Sequence, residues 1–91
     1  MSKYLITGSY TADGVKGLMA EGGSKRRDAA PAAVESVGGS MDVMYYSVGD
    51  AEVVGICDFP DGASAAAVSM MINSSGMVNV SLSPLLTVEE I

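Results

Sequence analysis

The chain has no histidine and no tryptophan, and only one cysteine, one phenylalanine and five cations among its 91 residues. Each shortage excludes a class of chemistry. Without histidine there can be no Ser-His-Asp triad, no Cys-His pair and no histidine-ligated metal or haem supplied by this chain alone. A single cysteine forms no intramolecular disulfide, which argues against a small stapled secreted domain and for a reducing, cytoplasmic setting. Five Lys and Arg against eleven Asp and Glu give a net charge of −6. That field repels phosphate backbones and anionic lipid heads, so neither nucleic acid nor a membrane surface is an expected partner. Apolar runs fall far short of the ~20 residues needed to span a bilayer. The opening Lys3-Tyr4-Leu5-Ile6-Thr7-Gly8 reads as a strand, with no signal-peptide core.

What is present is a globular composition, 48% hydrophobic and 18% charged, that fits a single domain over residues 1–91. Folding a chain of this size buries only a little over ~60% of its surface, a thin margin for a monomer.

Alternation over residues 3–9 predicts a first strand. Thr11, followed by Asp13 in the first turn and by Val15, Leu18 and Met19 at i, i+3, i+4 spacing, predicts a capped helix. An unbroken helix from there to Val37 would reach about 40 Å against about 23 Å for the strand, so two pieces are expected, 12–21 and 24–37. Gly22-Gly23 marks the break, Gly38-Gly39 the end, and Ala29, Ala30, Ala33, Val34 and Val37 the apolar stripe of the second piece. Two β-rich runs, Met41–Val48 and Ala51–Phe59, flank Gly49-Asp50, which suits a tight hairpin. An Ala- and Met-rich helix over 63–73 follows, with Ala66, Ala67, Met70 and Met71 at helical spacing, and then a last strand over 77–82. Pro84 leads into an irregular tail.

The order β-α-β-β-α-β predicts an α+β, ferredoxin-like fold, a four-stranded antiparallel sheet with its helices on one face. The other face has no cover, and Met41, Val43 and Tyr45 alternate with Met44, Tyr46 and Val48, apolar on both sides of the strand. Sheet-to-sheet packing of a second copy, giving a barrel-like homo-oligomer of at least two subunits, is the simplest remedy.

Lys3-Tyr4-Leu5, Gly8-Ser9-Tyr10-Thr11, Gly14 to Leu18, Gly22 to Arg27, the hairpin at Gly49 and Pro84-Leu85-Leu86-Thr87 together resemble the GYD domain family over nearly the whole chain. The resemblance implies a small bacterial protein of ferredoxin-like fold, similar to the dimeric α/β barrels, with no generally established activity. Where the family's name-giving Gly-x-Tyr-Asp falls, this chain reads Gly49-Asp50-Ala51-Glu52. A role resting on that phenol is therefore not carried over.

Each candidate site residue also has a simpler structural role. Gly22-Gly23-Ser24-Lys25-Arg26-Arg27 joins a turn, a helix start and three cations, a recipe for a small anion. The spacing is not that of a Walker loop, and a helix cap with intersubunit ion pairs is the simpler role. Tyr10, Tyr45 and Tyr46 offer both ring and hydroxyl to a ligand between sheets, or fill core and interface; Tyr45 and Tyr46, being adjacent, face opposite ways. Asp50/Glu52 and Asp58/Asp61 are acid pairs better suited to turns and caps than to a metal, with Asp61 placed to cap the second helix. Cys57 reads as a core thiol, and Met70, Met71 and Met77 as core filling. The expected function is an oligomeric domain, without cofactor or metal, binding a small ligand between subunits, with an anion as the candidate that the cations suggest. The alternative is a cofactor-independent enzyme with an intersubunit pocket lined by Tyr10 and Tyr45 or Tyr46, with Asp50 or Lys25 supplying charge.

Overall fold

In the computed structural model of the chain, residues 2–21, 30–48 and 53–91 are described, the side chains of Leu18 and Glu21 excepted. Four strands and three helices follow one another: β1 (Ser2–Tyr10), α1 (Ala12–Glu21), α2 (helical over 30–35), β2 (Ser40–Tyr46), β3 (Val53–Phe59), α3 (Gly62–Asn73) and β4 (Val78–Pro84). The strands form one open sheet in the order β2-β3-β1-β4, and every neighbouring pair is antiparallel. The fold is thus α+β, as expected.

Local chemistry accounts for the boundaries. Thr11 caps α1: its Oγ1 accepts from the Gly14 N–H at 3.1 Å and its carbonyl from the Val15 N–H at 2.9 Å. Asp61 caps α3, with Oδ1 accepting from the Ser64 N–H at 2.7 Å. After α2 the Gly38 N–H bonds to the Glu35 carbonyl and the Gly39 N–H to the Val34 carbonyl, with Gly38 at φ +86°. This is a Schellman end, and the left-handed turn is why a glycine stands there. Pro84 costs no ladder bond in the interior because β4 is an edge strand.

The core lies between the sheet and the helices. Val34 of α2, Ala65 and Val68 of α3, and Cys57 and Phe59 of β3 form its buried cluster, with the Tyr4 and Phe59 rings edge to face at 5.5 Å. Burial alternates strictly along β3, Val53, Gly55, Cys57 and Phe59 being covered. α1 is held near the start of β4 by backbone contact: the Thr11 N–H donates to the Met77 carbonyl at 2.9 Å, and the Thr11 hydroxyl donates to the Gly76 carbonyl at 2.8 Å. Any side chain at Gly14 would overlap that Met77 carbonyl.

Three packing expectations are corrected. α3 buries Ala65 and Val68, while Met70 is 72% and Met71 49% exposed. Six of the ten residues from Ala63 to Ile72 are Ala, Val or Ile, and with two Met among them the helix is apolar on most of its surface, so spacing alone picks no face. In α1 Val15 and Met19 are exposed, and it is Gly14 that is buried. In β2 a bulge lies between Met41 and Val43: Met41 pairs with Cys57 and Val43 with the very next residue back, Ile56. The extra residue, Asp42, turns Met41 toward the helices and leaves Val43 and Tyr45 on the opposite side. The hairpin turn expected at Gly49-Asp50 lies outside the described residues.

Candidate functional site

Two regions carry chemistry: the open face of the sheet and a cavity beneath the helices. On the open face the pairings align side chains in rows. Leu5, Ile56 and Val43 make one row and Thr7, Val54 and Tyr45 the next. Tyr45 is 70% and Val43 41% exposed. Toward β4 the same rows end in Ser83 and Ser81, and Asn79 lies opposite Ser9. One half of the face is therefore apolar and the other polar, a narrower patch than the sequence suggested.

One end of this face carries an ion cluster. The Lys3 ammonium donates to Asp42 at 2.6 Å and to Asp58 at 2.9 Å. Lys3 and Asp58 are direct cross-strand partners, and the bulge brings Asp42 within reach across β3. Its hydrogen bond to Asp42, then that to Asp58, holds the Lys3 ammonium protonated well above its ordinary range. Sequence reading missed this cluster, since only the register reveals it.

Beyond β4 the tail begins with the Leu85 N–H donating to the Lys3 carbonyl at 2.9 Å. Thr87 and Glu90 then form a reciprocal capping box, Glu90 Oε1 accepting from the Thr87 N–H at 2.9 Å and Thr87 Oγ1 from the Glu90 N–H at 3.2 Å. Those bonds hold the Glu90 carboxyl below its ordinary value. The tail after Pro84 holds neither helix nor strand, as expected, and these bonds close a turn within it. Between tail and sheet lies a cleft of about 440 Å³, with Lys3, Ile56, Asp58 and Glu90 among its walls.

The second region is a half-enclosed cavity of about 180 Å³ on the covered side of the sheet. Ile6 and Tyr10 of β1, Met44 of β2 and Val53 of β3 line its floor, and Ala33 of α2 and Ile72 of α3 lie among its other walls. Of the expected site residues, Tyr10 stands here, Tyr45 on the open face, and Tyr46 beside the last β2–β3 pair, Tyr46 opposite Val53. The three tyrosines do not converge. Lys25, Arg26, Arg27 and Asp50 lie outside the described residues, as do Glu52 and the motif at Gly49-Asp50-Ala51-Glu52.

Cys57 is fully buried, as expected, with its thiol donating weakly toward the Tyr4 carbonyl at 3.8 Å. Burial, aided by the nearby Asp42 and Asp58 charges, pushes the thiol up to about 11, the wrong direction for a nucleophile at neutral pH. Asp58 is engaged by Lys3 and Asp61 by the α3 cap. Among the described residues no group of three His, Cys, Asp or Glu is placed to hold a metal, and no helix is long and apolar enough to cross a membrane.

A family model for the GYD domain matches residues 4–91. The chain belongs to the GYD domain family. No curated protein and no solved structure matches it. The match spans both candidate regions of this GYD domain, from Tyr4 in β1 to the end of the Thr87–Glu90 turn. The resemblance noted from its short motifs is thus carried by the whole described fold.

Proposed function

We propose that this GYD domain is a ferredoxin-like assembly module whose subunits associate through the open face of the sheet, making a barrel-like homo-oligomer. The observation that carries this reading is the apolar half-face on which Val43 and Tyr45 are exposed and Leu5, Val54 and Ile56 half-buried, on the side of the sheet opposite the core that α2 and α3 cover. Water against such a patch is unfavourable in proportion to its area, at ~25 cal/mol per Å². Four strands about 4.8 Å apart and seven residues of about 3.4 Å give a face of roughly 450 Å² in projection. A stable interface takes about 800 Å² from each partner. The tail supplies more: Leu86, which borders the cleft beside the same face, is 63% exposed, and Val88 and Ile91 further along the tail are 88% and 92% exposed. A second copy of this chain fits because the patch is self-complementary in chemistry, apolar against apolar, whereas two β4 edges would set serine rows against each other.

Val43→Asp tests the reading. Native mass spectrometry of the variant is expected to show single subunits where the parent shows two or more, with the far-ultraviolet circular dichroism of the fold retained. An unchanged subunit number would place the contact elsewhere.

The expected small anionic ligand between subunits rests on Lys25, Arg26 and Arg27, and the cleft bounded by Lys3, Asp58 and Glu90 offers one cation against two acids. The geometry supports assembly better than either anion capture or catalysis by converging Tyr and Asp groups.

A further inference from the structure

We propose that the cavity beneath the helices is a binding site for a small neutral apolar molecule, about one aromatic ring in size, held within a single subunit. Protein interiors are packed to the density of organic crystals and keep few voids larger than a water molecule. A half-enclosed space of about 180 Å³ at the edge of so small a core leaves apolar side chains without packing partners, which a ligand can supply. A dry, apolar cavity of about 150 Å³ is enough to admit benzene, so the volume sets the class of ligand to a single ring or a short branched chain.

The walls set its polarity. The lining is Ala, Val, Ile and Met apart from Tyr10 and Ser75, and no charged side chain lines it among the described residues. A carboxylate or phosphate entering here would lose hydration and meet no counter-charge among the described residues, which disfavours anions. The two hydroxyl-bearing side chains, Tyr10 on β1 and Ser75 just beyond α3, give the ligand one end at which a hydroxyl or carbonyl group is tolerated. Met44 and Met77 are unbranched and polarizable, so these walls adapt to the outline of a ring and make favourable sulfur–aromatic contacts. The described walls come from all four strands and from α2 and α3 of one chain, on the side of the sheet away from the open face.

The test uses the full chain with benzene, phenol and benzoate as probes, read by methyl resonances of Ile6, Val53 and Val80 and by the thermal midpoint. Benzene and phenol are expected to shift those resonances saturably and raise the midpoint, and benzoate to do neither at neutral pH. Ala33→Phe fills the space and is expected to weaken both neutral probes at least tenfold; Val80→Phe serves the same purpose should that variant not fold. Tyr10→Phe should narrow the preference for phenol over benzene. Binding should persist in the dissociated Val43→Asp protein, which separates this site from the assembly surface. Equal binding by the filled and parent proteins would overturn the proposal, as would benzoate competing with benzene or no shift at the solubility limit of benzene.

Discussion

The two faces of the sheet are made from the same four strands, yet they differ in what completes them. On the covered side Phe59 and Cys57 meet Val34, Ala65 and Val68, and each of these five residues is at most 4% exposed. On the other side Ile56, one residue from Cys57, has only its strand neighbours and the edge of the tail. The difference shows that alternation along a strand assigns side chains to faces without deciding whether a face is finished. Helices of the same chain cover one face, and in the proposed assembly a second copy covers the other.

The sharpest way to break this comparison is a pair of substitutions on β3. Phe59→Ala removes a fully buried ring and should cost about 3–5 kcal/mol, a large share of the stability of so small a domain. Ile56→Ser, on the opposite face, should leave the monomer's fold in place and act chiefly on association. Urea denaturation at two protein concentrations separates them: the first variant unfolds early at both, whereas the second loses the concentration dependence of its midpoint. If Ile56→Ser proved as destabilising as Phe59→Ala with no change in association, the open face would be a second core.

A smaller effect sharpens the covered side. The Ser64 N–H holds the Asp61 carboxyl below its ordinary 3.8. A depressed carboxyl stabilises the fold above its unfolded value, and that contribution fades as pH falls through about 3.8 and below. Asp61→Ala should therefore lower the urea midpoint modestly at neutral pH and converge with the parent as acid protonates the cap. A gap independent of pH would mean that the Asp61 side chain does not act through its charge.

Much of the fold was legible in local chemistry. Thr11 and Asp61 announce helix starts because their short oxygens reach orphan amides. Gly38-Gly39 announces a stop, and the β-rich runs name the strands. Cys57 was legible too, lying in an apolar strand with no cation beside it in sequence. What escaped depends on relations between distant residues. The single extra residue at Asp42 moves Met41 to the other face, and no periodicity within β2 reveals it. The Lys3–Asp42–Asp58 cluster exists only once β1, β3 and β2 are in register. The exposure of Met70 and Met71 was hidden because α3 is apolar on most of its surface. The cavity is a property of packing, and of the expected site residues it draws on Tyr10 alone.

The claim on which the account turns is that a second copy completes the open face. Sedimentation velocity of the unmodified chain over a wide dilution series tests it most directly. The account requires a species of two or more 9.3 kDa subunits that gives way to single subunits only on dilution. A sedimenting mass of one subunit at every concentration would contradict it.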